Sequence, residues 1–155
     1  MTEADIIELL TKRYGAPEWA FIPMLRVGTG YTARDWYVVE GRPRNRWERT
    51  MDAWAINCFP SKGLVSVAFE VKTNRADFLS ELRQPWKRIP AMDVSNLFYF
   101  VAPVMTALVH EIPTKCGLIE VNDNGKLYVA KKATKREIEP LPLRFVASIA
   151  RRAST

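Results

Sequence analysis

The chain has 155 residues, 48% hydrophobic and 26% charged, which suits one compact domain with a real core and excludes neither an enzyme nor a binding module. No run of about 18 apolar residues occurs, which argues against a membrane-spanning helix; Cys58 and Cys116 are too few for a disulfide framework, and with a single histidine they argue against a zinc site. The net charge of +6 and a pI of about 9.5 fit a polyanionic partner such as nucleic acid.

The acidic start, Met1-Thr2-Glu3-Ala4-Asp5, lacks the basic character of a signal peptide, so a cytoplasmic setting is expected. Ala4 to Tyr14 has the spacing of a helix, with Glu3, Ile7, Leu10 and Tyr14 on one side and Ile6 beside them. Thr2 suits its cap, and Gly15-Ala16-Pro17 ends it. Glu18 to Val27 suits a strand. Gly28-Thr29-Gly30 lacks the Gly-Lys-Ser/Thr of a phosphate loop, so nucleotide binding is rejected. Residues 31–50 interleave Tyr31, Trp36, Tyr37 and Trp47 with Arg34, Arg42, Arg44, Arg46 and Arg49. This pattern suits either nucleic-acid contacts or a solvated loop with aromatics tucked onto the core. Within it, residues 36–39 suit a short strand.

Two strand-like runs follow, Asp52 to Phe59 and Val65 to Lys72, around the turn composition Pro60-Ser61-Lys62-Gly63. In the second run Val65, Val67, Phe69 and Val71 alternate, which turns Glu70 and Lys72 to the opposite face. An antiparallel hairpin results. Pairing residue 60 with 64 sets Asp52 opposite Lys72; pairing 58 with 64 sets it opposite Glu70. Either way the three charged side chains share a face, and burying them without partners is costly.

Asn74 then caps a second helix with Asp77 three residues on, a structural role for that acid, and Phe78, Leu79 and Leu82 form its apolar stripe up to Pro85. Gln84, Trp86, Lys87 and Arg88 cluster beyond it, with Arg88 read as surface. Asn96 to Ala102 is a continuous apolar run, as expected of a buried central strand. Met105 to His110 suits a short helix, with His110 structural. Residues 117–121 and 126–130 flank Asn122-Asp123-Asn124-Gly125, a strong hairpin signal. Lys131, Lys132, Lys135 and Arg136 form either a DNA-edge patch or solvated surface. Leu143 to Arg152 suits a final helix.

Asp52, the strand ending Glu70-Val71-Lys72 and the helix after it resemble the PD-(D/E)XK nuclease superfamily over roughly residues 3–103. The text Thr73-Asn74-Arg75-Ala76-Asp77-Phe78-Leu79 is similar to phage and bacterial members, including the MmcB-like DNA-repair group. Met51 stands where the family usually has Pro. A bare Glu-x-Lys arises by chance in about every second chain of this size; the strand, the same-face Asp and the following helix are what make the match specific.

The resemblance implies a single α/β domain over residues 1–155. Its restriction-endonuclease-like core would run helix, three antiparallel strands, helix, strand, and be followed by the C-terminal hairpin and final helix. It implies a Mg2+-dependent DNA endonuclease, with Mn2+ able to substitute, in repair, recombination or phage DNA processing in a bacterial or phage-infected cytosol. Asp52 and Glu70 would hold the metal with the Val71 carbonyl, and Lys72 would complete the catalytic set by orienting or activating water and stabilising developing charge. Arg44, Arg46, Arg49, Gln84 and Lys87 are the candidate DNA contacts. The family often adds a first-helix acid, for which Glu3 and Glu8 are the candidates, although a solvated acidic first turn is the simpler reading. A homodimer is allowed, since many relatives cut both strands as dimers. The alternative is a nuclease-derived module that binds DNA without cutting it; a third reading is a protein-interaction domain.

Overall fold

Helix α1 (Glu3–Arg13) is followed by strand β1 (Trp19–Val27), then by short strands β2 (Val38–Val39) and β3 (Arg42–Pro43), which pair with each other. The chain continues through β4 (Arg49–Asn57), β5 (Ser66–Val71), α2 (Arg75–Leu82), α3 (Ile89–Asp93) and β6 (Leu97–Pro103). It ends with β7 (Gly117–Val121), β8 (Leu127–Lys131) and α4 (Leu143–Ala153). This computed structural model describes residues 1–27, 38–39, 42–43 and 49–155. Among them, no helix is long and apolar enough to cross a membrane.

One mixed sheet, ordered β1-β4-β5-β6-β7-β8, organises this α/β fold. Strand β4 runs antiparallel to both β1 and β5, β6 lies parallel to both β5 and β7, and β8 closes the edge antiparallel to β7. The order helix, three antiparallel strands, helix, strand is thus present as α1, β1–β4–β5, α2 and β6. Parallel β6 is covered on both faces, which is why Phe98 to Ala102 is buried without alternation.

Each face has its own apolar cluster. Ile6 and Leu10 of α1, with Tyr14 just past its end, pack on Ala53, Ala55, Val67, Phe69 and Val101. Phe78 of α2, Ala91 of α3 and Phe145 of α4 pack on Trp54, Ala68, Phe98 and Phe100 from the other side. The α1 stripe is centred on Ile6 rather than Ile7, one residue from the expected line. Thr2 caps that helix as expected, accepting from the Asp5 N–H at 3.2 Å.

The β4–β5 register is the second of the two candidates: Ala53 pairs with Phe69 and Ala55 with Val67, so the ladder runs toward Asp52 opposite Glu70. The cause lies in Asn57. Its Nδ2 donates to Glu18 Oε2 at 2.8 Å, and its Oδ1 accepts from the Phe59 N–H at 3.0 Å, which ends β4 early and lengthens the loop. The loop then turns through a 3-10 segment, Pro60–Lys62, and Gly63 at φ +79°.

Two expectations fail in the connections. Residues 105–108 are not helical; a 3-10 turn, Val109–Glu111, stands there, held by the Glu111 carboxylate, which accepts from the Leu108 N–H and pairs with Arg75 at 2.7 Å. His110 is exposed in this turn. Lys131 and Arg136 are half-buried and not simply solvated surface. Lys131 Nζ donates to the carbonyls of Ile112 and Pro113, and Arg136 donates to those of Met92 and Ser95, so both cations serve as internal braces.

Candidate active site

The sheet changes its pattern at Asp52. Met51 and Trp54, three residues apart, both join the cluster beneath α2 and α4, while Ala53 and Ala55 face α1. Strand β1 does the same at the same level: Ile22 and Leu25 share a face, and Met24 between them has φ +55°, a left-handed conformation that is strained for a side chain with a Cβ. Pro23–Ala53 and Leu25–Met51 pairing brackets Met24 and Asp52, so both strands flip alternation together. A continued β4–β5 ladder would send the Val71 N–H to the Met51 carbonyl. Instead it donates to Asp52 Oδ2 at 2.8 Å. The carboxylate therefore sits at the end of the hairpin, close to the plane of the sheet.

Glu70 is the last polar residue of β5, and Lys72 follows the strand, its N–H donating to the Val101 carbonyl at 2.9 Å. Lys72 Nζ lies 3.1 Å from Glu70 Oε1 and 3.4 Å from Glu81 Oε1. Glu81, on α2, is only 8% exposed. Its other oxygen is 3.8 Å from Arg88 Nη1, which also donates to the Glu81 carbonyl at 3.2 Å, and the Arg88 guanidinium covers the Phe100 ring. Arg88 is thus buried, not surface as its sequence context suggested; Glu81 and the Phe100 face supply the partners that a buried cation requires.

These charges are coupled. Burial pushes the Asp52 carboxyl up to about 6; the Val71 N–H opposes this, Glu3 adds to it through its charge and a side-chain hydrogen bond, and Lys72 opposes it. Burial also pushes Glu70 up to about 7, helped by the charge of Asp52 and opposed by Lys72. For Lys72 burial pulls downward, yet Glu70 and Glu81 outweigh it and hold the ammonium above its ordinary value. Of the two first-helix acids, Glu3 is the one beside Asp52; Glu8 is exposed and pairs with Lys12 at 3.6 Å.

A cavity of about 490 Å3 opens onto Glu70, Lys72 and Glu81, walled by Thr50, Lys87 and Arg88. Lys87, a candidate DNA contact, lines this cavity. Gln84 does not: its Nε2 turns back to the carbonyl and hydroxyl of Ser80 at 3.3 Å. Asn74 caps α2 by accepting from the Asp77 N–H at 2.9 Å, and the Asp77 carboxylate accepts in turn from Asn74 Nδ2 at 2.8 Å, a structural role for that acid. Arg44 and Arg46 lie outside the described residues, as does the side chain of Arg49, which opens β4. Glu81 was overlooked in the sequence although its signal was present. Three residues after Phe78, it falls on the buried side of α2, where an unpaired carboxylate would not be tolerated.

Among the described residues, no three histidine, cysteine or acidic side chains come together as a metal cluster. Asp52 and Glu70 offer two carboxylates whose mutual repulsion and burial a cation would relieve, and Mg2+ is commonly held by one or two carboxylates with water filling the remainder. Two carboxylates, joined by the Val71 carbonyl that the resemblance adds, would make an all-oxygen donor set suited to a hard divalent cation.

No protein-family model matches the chain, and no curated protein does. A solved structure of a Silicibacter pomeroyi protein of unknown function is similar, with a TM-score of 0.54 at 15% identity, covering 88% of this chain and 73% of that one. At that identity the likeness shows a shared fold.

Proposed function

We propose that the chain is a metal-dependent deoxyribonuclease that hydrolyses phosphodiester bonds in DNA, directed by DNA structure in repair, recombination or phage DNA processing. The observation that carries this reading is the convergence of Asp52, Glu70 and Lys72 at the end of one hairpin, beside a cavity walled by cations. The order α1, β1–β4–β5, α2, β6 supports a restriction-endonuclease-like core.

Asp52, Glu70 and the Val71 carbonyl would hold Mg2+ or Mn2+. A bound divalent cation supplies charge neutralisation at the phosphate and a more acidic water. Lys72, kept protonated by Glu70 and Glu81, is a charge and hydrogen-bond donor and not a proton acceptor. It stabilises negative charge as it develops on the phosphoryl oxygens and orients the water. Lys87 and Arg88 add positive potential to the wall that the substrate backbone meets. Arg44, Arg46 and Arg49 would extend this contact.

The test is a panel of supercoiled plasmid, single-stranded and branched DNA with Mg2+ or Mn2+, comparing wild type with Lys72→Ala. The variant is expected to keep its DNA affinity and to lose cutting by about a thousandfold. Equal cutting by both proteins overturns the assignment. Binding without cutting by either favours the alternative, a non-cleaving nuclease-derived DNA-binding module.

A further inference from the structure

Among the described residues, Met24, Leu64 and Met105 are the non-glycines with a positive φ. The first two have local explanations. Met24 turns the alternation of β1 where Asp52 turns that of β4, and Leu64 follows Gly63 in closing the β4–β5 loop. Met105, at φ +73°, is the third residue of a turn in which the Thr106 N–H donates to the Pro103 carbonyl at 3.1 Å. A turn with positive φ at that place ordinarily takes glycine or asparagine, because a Cβ there is strained. This chain puts a methionine there and leaves it 71% exposed, against 49% for Met24 and for Leu64. So exposed a side chain recovers little of the strain by packing. Strain kept at a surface side chain points to a use outside the molecule.

The turn is a rigid mount. The Val104 N–H donates to the Val121 carbonyl at 3.1 Å, which ties the start of the turn to β7. Arg75 donates to the Thr106 carbonyl at 3.3 Å and pairs through both terminal nitrogens with Glu111, whose carboxylate also accepts from the Leu108 N–H. Thr106 and Ala107 are buried behind the tip, while Val104 and Val109 of the same loop are exposed and apolar. The mount also stands close to the candidate active site. The Lys72 N–H donates to the Val101 carbonyl, and Met105 follows four residues later. Four residues span at most about 14 Å. Nucleotides follow one another at about 3.4 Å along a strand, so the tip falls within about four base steps of a phosphate held at Lys72. The net charge of +6 and the cations around the neighbouring cavity favour a nucleic acid as what the tip meets.

We infer that Met105 is a wedge that enters a base step of duplex DNA beside the candidate active site, and that the substrate class is duplex with a weakened step, such as a mismatch or a nick. This rests on the nuclease reading for its partner and names the DNA structure to which that site is directed. Parting stacked bases costs energy, least where pairing is already broken, and apolar side chains, methionine among them, fill the opened step. The unbranched, polarisable thioether suits an irregular gap. The fixed mount matters because a tip that had to be ordered on binding would lose part of what insertion gains. A glycine would satisfy the turn and fill nothing.

The test measures binding by fluorescence anisotropy, with EDTA present to prevent cutting, of a matched duplex and of the same duplex with one mismatch. A fluorescent adenine analogue beside the mismatch reports unstacking. Wild type is compared with Met105→Gly, with Met105→Leu, and with Leu64→Gly, which relieves the same kind of strain at the end of β5 far from Glu70. Wild type is expected to prefer the mismatched duplex about tenfold or more and to raise the analogue's emission on binding. Met105→Gly is expected to lose both, with the slope of log K against log salt unchanged because no phosphate contact is removed. Its Tm is expected to hold or rise, since glycine accepts the turn. Met105→Leu is expected to keep the preference, and Leu64→Gly to track wild type. The inference is overturned by a wild type without the preference, by a preference that persists in Met105→Gly, or by an equal loss in Leu64→Gly. A Met105→Gly melt lowered by more than about 4 °C overturns it too, since Met105 is then a packing residue. In parallel Mg2+ assays, a Met105-dependent preference with no cutting by any protein supports the wedge while removing the hydrolytic reading. Cutting by wild type with the preference unchanged in Met105→Gly does the reverse. A wild type that binds no DNA overturns both.

Discussion

Lys72 carries the chemistry proposed for this chain, and its state is set by two carboxylates of different kinds. Glu70 is 24% exposed and shares its field with Asp52; Glu81 is 8% exposed and tied to Arg88. The second pairing makes Glu81 a positioning residue: it fixes the ammonium from the helix side, while Asp52 of β4 and Glu70 of β5 would remain available to a cation. Glu81→Gln removes that charge but keeps the shape. It is expected to lower kcat about a hundredfold with KM little changed, because misplacing a reacting-site group by about 1 Å costs that much. A purely structural loss would instead reduce the active fraction and leave the turnover of the folded enzyme unchanged, so active-site titration beside steady-state kinetics separates the two. Glu81→Ala leaves Arg88 buried without its carboxylate and is expected to cost about 3 kcal/mol of stability by urea denaturation.

The elements most legible in the sequence were those whose local chemistry and tertiary environment agree. The alternation of Val67, Phe69 and Val71, the Asn74 cap and the unbroken apolar run of β6 all describe what the strand or helix end does in place. The misses have physical causes. Met105 to His110 has helical spacing, but Met105 takes φ +73° and the Arg75–Glu111 ion pair fixes a tighter turn, contacts that arrive from another element. The hairpin register depended on Asn57 reaching Glu18, 39 residues away in sequence, which no reading of the turn composition supplies. Arg88, Lys131 and Arg136 read as surface because their partners are backbone carbonyls, Glu81 and an aromatic face that only the fold assembles. One glycine had no sequence signal. A Cβ at Gly117 would strike the Tyr99 ring and the Ala133 nitrogen, whose N–H donates to the Tyr99 hydroxyl at 3.2 Å. Gly117→Ala is therefore expected to destabilise by about 2 kcal/mol through overpacking, lowering Tm by roughly 4 to 8 °C. An unchanged melt would mean that β6 and β7 yield at no cost.

Taken as a whole the molecule is a basic fold with an acidic centre. The net charge of +6 is interrupted at the hairpin end, where Asp52, Glu70, Glu81 and Glu3 gather. On the nuclease proposal, such an arrangement would draw a polyanion to the surface and take a divalent cation at its centre. The linkage follows from the raised carboxyls. In the folded chain Asp52 and Glu70 hold protons up to about 6 and 7, against ordinary values of 3.8 and 4.5, so the native state binds more protons than the unfolded one in that window. Cation-free stability therefore falls as pH rises from about 4 to about 7, and the deficit is complete above both values. A divalent cation that binds both deprotonated groups restores stability there, by about 2.7 kcal/mol at a hundredfold excess over Kd, or roughly 5 to 10 °C in Tm. The deciding measurement is the Tm of wild type and Asp52→Asn between pH 5 and pH 8, with and without Mg2+ or Mn2+. The account predicts that cation-free wild type loses ground to the variant as pH rises, and that the cation raises the wild-type Tm at pH 8, little at pH 5, and not that of the variant. A cation shift of equal size in Asp52→Asn, or a cation-free wild type that gains on the variant with rising pH, would contradict it.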